Sequence, residues 1–317
     1  MNLRIGSRGS QLALWQANYI AGLLRAMGHT AEIQIIKTTG DRLQEVAVAQ
    51  VGSKGMFTKE IEEALAAGSV DLAVHSLKDL PTELPEPFTL AATPERVDPR
   101  DVFVSVKYAN LAALPVGARV GTSSQRRRAQ LKAVRPDILP QEFRGNVETR
   151  LRKLAEGQVD AILLAAAGLD RLEKTEWVRQ RLEPKEFCPA AGQGALGIET
   201  RKDDAATIAA VAFLDHAATR FAVTVERAAL AALGGGCQVP IGVHCRPWLN
   251  EDSGADEALW DEFFAVVAAP ETGKSFRIYH MALHVGADPV VLGRQVAQKL
   301  IEAGAGPLLA AAGGGLR

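Results

Sequence analysis

Leu3-Arg-Ile-Gly6, Ala31-Glu-Ile-Gln-Ile-Ile36 and Val70-Asp-Leu-Ala-Val74 are short apolar runs of strand length, separated by two helix-period segments, Ser10 to Met27 and Phe57 to Ala67. Strand and helix alternating in this way predict an α/β fold with a largely parallel sheet. A Pro-rich stretch, Leu80 to Pro87, and the Asp98-Pro-Arg-Asp101 crossing interrupt the pattern, which then restarts. The second unit has strand Arg119 to Gly121, helix Ser124 to Val134, helix Asn146 to Glu156 and strand Ala161 to Ala165. A third begins near Thr219 with helix Arg220 to Leu233, continues through a hairpin, Trp260 to Ala268 and Ser275 to Leu283, and closes with helix Val290 to Ala303. Pro189 and the glycines at 192, 194 and 197 mark a return between the second and third units.

A chain of 317 residues that is 47% hydrophobic is too long for one ordinary core, so two or three domains are expected. Its formal net charge of −1, with both signs interspersed, points to neither nucleic acid nor membrane, and leaves electrostatic recognition to local clusters. Cys188, Cys237 and Cys245 form no CxxC pair, which argues for reduced thiols in a cytoplasmic setting. The first residues, Met1 to Arg8, carry no apolar signal segment, and no apolar run approaches the length of a membrane span. These features predict a soluble protein that is not exported.

Two segments draw attention as chemistry. Cys237 lies in Ala231-Ala-Leu-Gly-Gly-Gly-Cys-Gln-Val-Pro-Ile-Gly242, on a glycine loop between a helix-like and a β-like run. Taken alone, the loop is either a helix C-cap with a chance buried cysteine or a thiol placed for use; nothing local predicts a depressed thiol pKa, so a tethering role suits it better than turnover as a nucleophile. Asp79 follows Lys78 just past a buried-type strand, where α/β proteins present functional groups, although a turn aspartate capping its own backbone reads the same way. Three helix starts also carry basic or hydroxyl residues: Arg8 with Ser10, Thr122 through Arg128, and Arg144-Gly-Asn146. Arginine beside unpaired helix N–H groups disfavours the helix unless it is solvated, meets a surface carboxylate, or an anion is normally bound.

Other motif matches fail on context. Gly192-Gln-Gly-Ala-Leu-Gly197 fits GxGxxG, but strand-like Ile198-Glu-Thr200 follows it where a helix is required. Gly273-Lys-Ser275 lacks the first P-loop glycine, that position being Ala268. His280 with His284, and His244 with Cys245, lack the partners of a metal motif, so no metal site is expected.

Eight segments, in order, resemble the porphobilinogen deaminase (hydroxymethylbilane synthase) family: Arg4 to Ala17, Val51 to Glu60, Ala73 to Pro81, Val120 to Arg127, Arg144 to Val147, Ala165 to Arg171, Pro189 to Gly197 and Gly234 to Gly242. The resemblance implies three domains, the first two built like periplasmic binding proteins with a cleft between them and the third a smaller α+β domain. The expected division is 1–97 with 192–216, then 98–191, then 217–317. It implies a transferase that joins four porphobilinogen molecules head to tail into linear hydroxymethylbilane with release of ammonia, for haem and chlorophyll biosynthesis. The family's primer is a dipyrromethane held by thioether at the position of Cys237, and its catalytic carboxylate matches Asp79. Every pyrrole ring bears two carboxylates, which arginine suits by geometry and permanent charge. On this likeness Ser124, Arg126, Arg127 and Arg150 hold cofactor carboxylates with Lys78 and Thr122 nearby, while Arg8, Ser10, Arg144, Arg171 and Gln193 serve substrate and growing chain. Lys54, Phe57 and Lys59 belong to a loop over the cleft. The likeness also implies a cytoplasmic monomer whose product goes to uroporphyrinogen III synthase. A two-lobed anion receptor without catalysis and a thiol-dependent enzyme are the competing readings; Gln125, Arg128 and residues 246–317 depart most from the family pattern.

Overall fold

The computed structural model describes residues 1–39, 58–235, 239–248, 260–284 and 286–312. Aliphatic runs become central strands where both of their faces meet apolar neighbours. In the first lobe β1 (Asn2–Ser7), β2 (Thr30–Ile35), β3 (Leu72–Ser76), β4 (Phe88–Ala92) and β10 (Leu196–Arg201) form one sheet in the order β2-β1-β3-β10-β4. Helix α1 (Gln11–Ala26) starts where the Ser10 hydroxyl accepts from the Ala13 N–H, and buries Ala17, Ile20, Ala21 and Leu24, spaced for one helical face. These meet Leu3, Ile5, Leu72 and Val74 of the sheet, so truncating Leu24 to Ala would cost about 2–5 kcal/mol. Helix α2 (Lys59–Ala66) packs Ile61 and Leu65 on the opposite face with Val70 and Ala73.

The second lobe holds β5 (Asp101–Val104), β6 (Arg119–Gly121), β7 (Leu139–Gln141), β8 (Ala161–Ala165) and β9 (Val178–Leu182) in the order β7-β6-β8-β5-β9. Strand alternation splits its core in two: Val102, Val104, Ile162 and Leu164 line one face, and Phe103, Val120, Leu163 and Leu131 the other. Its helices are α3 (Gln125–Val134), α4 (Val147–Ala155) and α5 (Ala166–Arg171). Short α6 (Ala205–Val211) then leads to α7 (Ala217–Ala232). The third unit is the antiparallel sheet β11 (Ile241–Trp248), β12 (Trp260–Ala268) and β13 (Ser275–Leu283), followed by α8 (Pro289–Leu300) and α9 (Gly306–Ala311). Phe263, Ala265 and Val267 face α7 and α8, while Phe264, Val266 and Ala268 press against Ala129 and Cys188 of the second lobe.

The alternating pattern predicts largely parallel sheets, and both are mixed. β1, β2 and β3 run parallel, but β10 lies antiparallel between β3 and β4; β6, β7 and β8 run parallel, but β5 lies antiparallel between β8 and β9. Each reversed strand is the first one laid down after the chain has crossed between lobes, at residues 93–100 outward and 183–195 on return. The crossings touch. Gly194 adopts φ +89°, and a Cβ there would sit 2.5 Å from the Val97 carbonyl oxygen, so this close approach requires glycine.

Candidate active site between the lobes

The buried strand β3 ends in a single turn, Leu77–Asp79, at the edge of the first lobe. Leu77 and Leu80 are buried and fix the turn, leaving Lys78 half-buried and Asp79 exposed between them. Gln16 from α1 donates to the Ser76 hydroxyl at 2.9 Å and braces the strand end from behind. Protein packed around Lys78 lowers its ammonium to about 8; the charges of Asp79 and Asp101 resist that fall, while Arg127 and Arg126 add to it. Asp79 makes no hydrogen bond to another described residue, yet its charge reaches Lys78 on its own lobe and Arg127 and Arg150 on the other.

Opposite, Ser124 caps α3 by accepting from the Arg127 N–H, and the first turn of that helix carries Arg126 and Arg127 inward. Both close on Asp101, which begins β5 and is wholly buried. Arg126 donates Nη1 to Asp101 Oδ2 at 2.6 Å and to the Cys188 carbonyl at 2.6 Å, while Arg127 donates Nη2 to Asp101 Oδ1 at 2.7 Å and Nη1 to the Leu163 carbonyl at 3.0 Å. Burial alone would raise the Asp101 carboxyl; Arg126 and Arg127 outweigh it and hold the group far below the usual carboxylate range.

The other residues singled out in the sequence take varied positions. Thr122 is buried, and its hydroxyl accepts from the Ser124 N–H at 3.2 Å. Arg150 projects from α4, whose cap Asn146 accepts from the Thr149 N–H. Burial, then Arg127 and Arg144, lowers Arg150 to about 10, and its buried Nε has no hydrogen-bond partner among the described residues. Arg144 is exposed and pairs with Glu142 at 2.6 Å. Arg8 and Ser10 lie half-buried where β1 passes into α1. Arg171 is buried; it donates to the Gly194 carbonyl at 2.8 Å and lies over the Trp15 ring at 5.8 Å. Gln193 is buried on the return crossing with its amide engaged on Pro99, Asp101 and Lys78. Lys59 is exposed, 3.9 Å from Glu63. Lys54, Phe57 and Cys237 lie outside the described residues; the described chain resumes two residues after Cys237, just before β11. The other two cysteines are buried thiols, with Cys188 pushed up to about 12 and Cys245 also raised, each by burial first.

Among the described residues three wholly buried carboxylates escaped the sequence reading. Asp101 had only its place before an apolar strand to signal it. Glu226 on α7 accepts from both terminal nitrogens of Arg96 at 2.7 and 3.1 Å, from Gly192 N at 2.6 Å, from Cys245 N at 2.8 Å and from His244 Nδ1 at 3.2 Å. One side chain thus ties both crossings to the third sheet. Glu199 on β10 meets His75 on β3 at 2.9 Å, within the first sheet. No local pattern announces any of these, because each partner comes from a distant segment.

Among the described residues no group of three metal-ligating side chains assembles, and no single helix is long and apolar enough to cross a membrane. Among the described residues Lys78, Arg126, Arg127 and Arg150 meet the carboxylates of Asp79, Asp101 and Glu142, so the described wall holds more positive than negative charge. It suits a ligand bearing several carboxylates, with Asp79 left to balance a positive charge or move a proton.

Residues 3–209 match the family model "Porphobilinogen deaminase, dipyromethane cofactor binding domain" and residues 220–302 match "Porphobilinogen deaminase, C-terminal domain". The chain is 50% identical over 309 residues to a porphobilinogen deaminase of Trichlorobacter lovleyi, covering 97% of this chain and 95% of that protein. It is 48% identical over 311 residues to that of Roseiflexus castenholzii, covering 98% and 99%. Among solved structures, a methionine binding protein aligns at TM-score 0.44 and 11% identity over 67% of this chain and 89% of that one. The L-cystine solute receptor of Neisseria gonorrhoeae aligns at 0.38 and 14% over 67% and 85%. Neither of these two likenesses bears on what this chain binds.

Proposed function

The chain belongs to the porphobilinogen deaminase family, and from that premise we propose that the basic wall between its lobes holds the carboxylates of primer, substrate and growing product while Asp79 serves the chemistry. Its activity is that of a porphobilinogen deaminase: porphobilinogen units are joined into a linear tetrapyrrole with loss of ammonia, on a dipyrromethane cofactor. The observation that carries the residue assignment is the placement of Asp79, exposed and without a hydrogen bond to another described residue, within electrostatic reach of Lys78 from its own lobe and of Arg127 and Arg150 from the other.

The residues fit such a cofactor. Arg150 has a buried Nε without a hydrogen-bond partner among the described residues, and the surplus of cations over carboxylates among those residues is what a group with several carboxylates would neutralise. Lys78, Arg126, Arg127 and Arg150 would hold it, with Ser124 and Thr122 beside them. When bound, the dipyrromethane supplies a tethered pyrrole with a nucleophilic α-carbon. Asp79 balances the positive charge that grows on the substrate ring as ammonia leaves, and its carboxylate oxygens take up and return the proton. Arg8 and Arg144, less enclosed, receive the carboxylates of incoming rings, and Ser10 fixes the helix beside Arg8.

Cys237 is the attachment point in this reading. The buried, protonated state of Cys188 and Cys245 supports it, since a thiolate or an accessible thiol is needed to form a thioether. The division 1–97 with 192–216, 98–191 and 217–317, a monomeric state, a cytoplasmic location and transfer of product to uroporphyrinogen III synthase complete the proposal. Intact mass tests the core of it. Purified protein is expected to exceed its sequence mass by one dipyrromethane, and Cys237→Ala to lose that mass and the activity together; a Cys237→Ala protein retaining both refutes the tether.

A further inference from the structure

Gln193 stands at a junction of several distant segments. Its Nε2 donates to the Pro99 carbonyl at 2.7 Å and to Asp101 Oδ1 at 3.0 Å, and its Oε1 accepts from Lys78 Nζ at 3.4 Å. An amide has two N–H donors, so both are used. The amide orientation is fixed by its surroundings: the opposite one would turn N–H groups on an ammonium and an oxygen on two acceptors. The backbone is equally committed, the Gln193 carbonyl accepting from Arg96 Nε at 2.7 Å and the N–H donating to the Ala190 carbonyl at 3.0 Å. Gly192 on one side leaves room for a Cβ only 3.3 Å from Lys78 N, and Gly194 on the other touches the outward crossing. The segment therefore has no slack on either flank, and Gln193 is 1% exposed, with both amide N–H groups already committed within the protein.

We propose that Gln193 is a positioning residue, whose amide ties Lys78 of the first lobe to the Asp101 carboxylate that holds Arg126 and Arg127 of the second. One side chain then sets the spacing of the cations from both lobes. This rests on the assignment of those cations to ligand carboxylates made above. Among the described residues, charged groups acting on Lys78 include Asp79 from its own turn, Asp101 from β5, and Arg126 and Arg127 from α3. Substitution at Gln193 changes this set in opposite senses. A leucine removes the acceptor from Lys78 and leaves Asp101 short of a donor, which disfavours the ammonium. A glutamate places a carboxylate against Lys78, which favours the ammonium, while repelling Asp101 and loosening the arginines.

The test follows the Lys78 side-chain 13Cε resonance through a pH titration of the purified holoprotein, assigned by its disappearance in Lys78→Arg. The wild-type Lys78 midpoint is set in the holoprotein by the cofactor's carboxylates together with these protein groups. Gln193→Glu should move that midpoint up and Gln193→Leu should move it down, each by about one pH unit, with turnover lowered roughly tenfold in both and the two-ring mass retained. Variants that leave the Lys78 midpoint in place, or move it the same way towards an ordinary lysine as local unfolding would, overturn the proposal, even with turnover reduced. Wild-type protein lacking the two-ring mass would overturn the cation assignment and this proposal with it.

Discussion

Replacing Glu226 by Gln preserves the shape of the side chain and removes the charge on which both crossings and the third sheet converge. Five hydrogen bonds enter that carboxylate, two of them from Arg96, whose side chain is only 10% exposed. An amide offers one acceptor oxygen and turns its N–H groups on the remaining donors, leaving Arg96 buried without a counter-charge. Breaking a buried ion pair from one side costs about 3–5 kcal/mol. The carboxyl itself gives a similar figure: burial would raise it, but Arg96 and His244 bring it from 4.5 to about 2, a change worth about 3 kcal/mol. Because the folded value is depressed, this stability is present above pH 4.5 and is lost as the pH falls towards 2. Urea unfolding at pH 7 should therefore find Glu226→Gln less stable by about 3 kcal/mol, with a thermal midpoint lower by roughly 6–12 °C. The gap between wild type and variant should shrink below pH 4.5. Arg96→Gln in the same background should cost much less than it does alone. A Glu226→Gln protein within 1 kcal/mol of wild type, or strictly additive Arg96 and Glu226 substitutions, would refute the argument that this carboxylate holds the units together.

Asp79→Asn is expected to retain fold and two-ring mass while turnover falls about a hundred- to a thousandfold, because an amide neither balances a pyrrole cation nor exchanges its proton; near-normal turnover would exclude Asp79 from the chemistry. Lys78, lowered to about 8, is half or more neutral above that pH, so a carboxylate ligand should draw a proton onto it. Calorimetry of a free dipyrromethane carboxylate binding to cofactor-free Cys237→Ala at pH 8.5, in buffers of different ionisation enthalpy, should register about one proton taken up, and no dependence on buffer would remove Lys78 from cofactor binding. Gly194→Ala must place a Cβ 2.5 Å from the Val97 carbonyl at positive φ, so the crossings must part. A loss of about 2 kcal/mol or more in stability is expected by urea unfolding, against a neutral effect if the contact does not matter.

The repeated alternation of strand and helix was legible because each run carries its own apolar period: Ala161 to Ala165 and the hairpin of β12 and β13 stand where the pattern puts them. Strand direction was not legible. Nothing within Asp101–Val104 or Leu196–Arg201 distinguishes a parallel from an antiparallel neighbour, since direction is settled by where the chain has just crossed. The site divides in the same way. Lys78 and Asp79 could be found because they follow a buried strand, and the arginines because they open a helix. Asp101 could not, since its partners lie 25 and 26 residues away and lower-order patterns do not register an ion pair formed by folding. Arg171 and Gln193 were visible as polar residues in family segments, but their inward turn depends on the contact of the two crossings.

The reversed strand β10 also inverts the order in which the lobes can be finished on the ribosome. It lies between β3 and β4, so the first sheet remains in two pieces until residues up to Arg201 have emerged. The second sheet is contained in residues 101–182 and needs nothing made later. The nascent chain therefore carries an early lobe with an open seam beside a later lobe already closed, and exposed edges of that kind invite mispairing. Synthesis that pauses between Leu182 and Leu196 would prolong this vulnerable interval, whereas a pause beyond Arg201 would not.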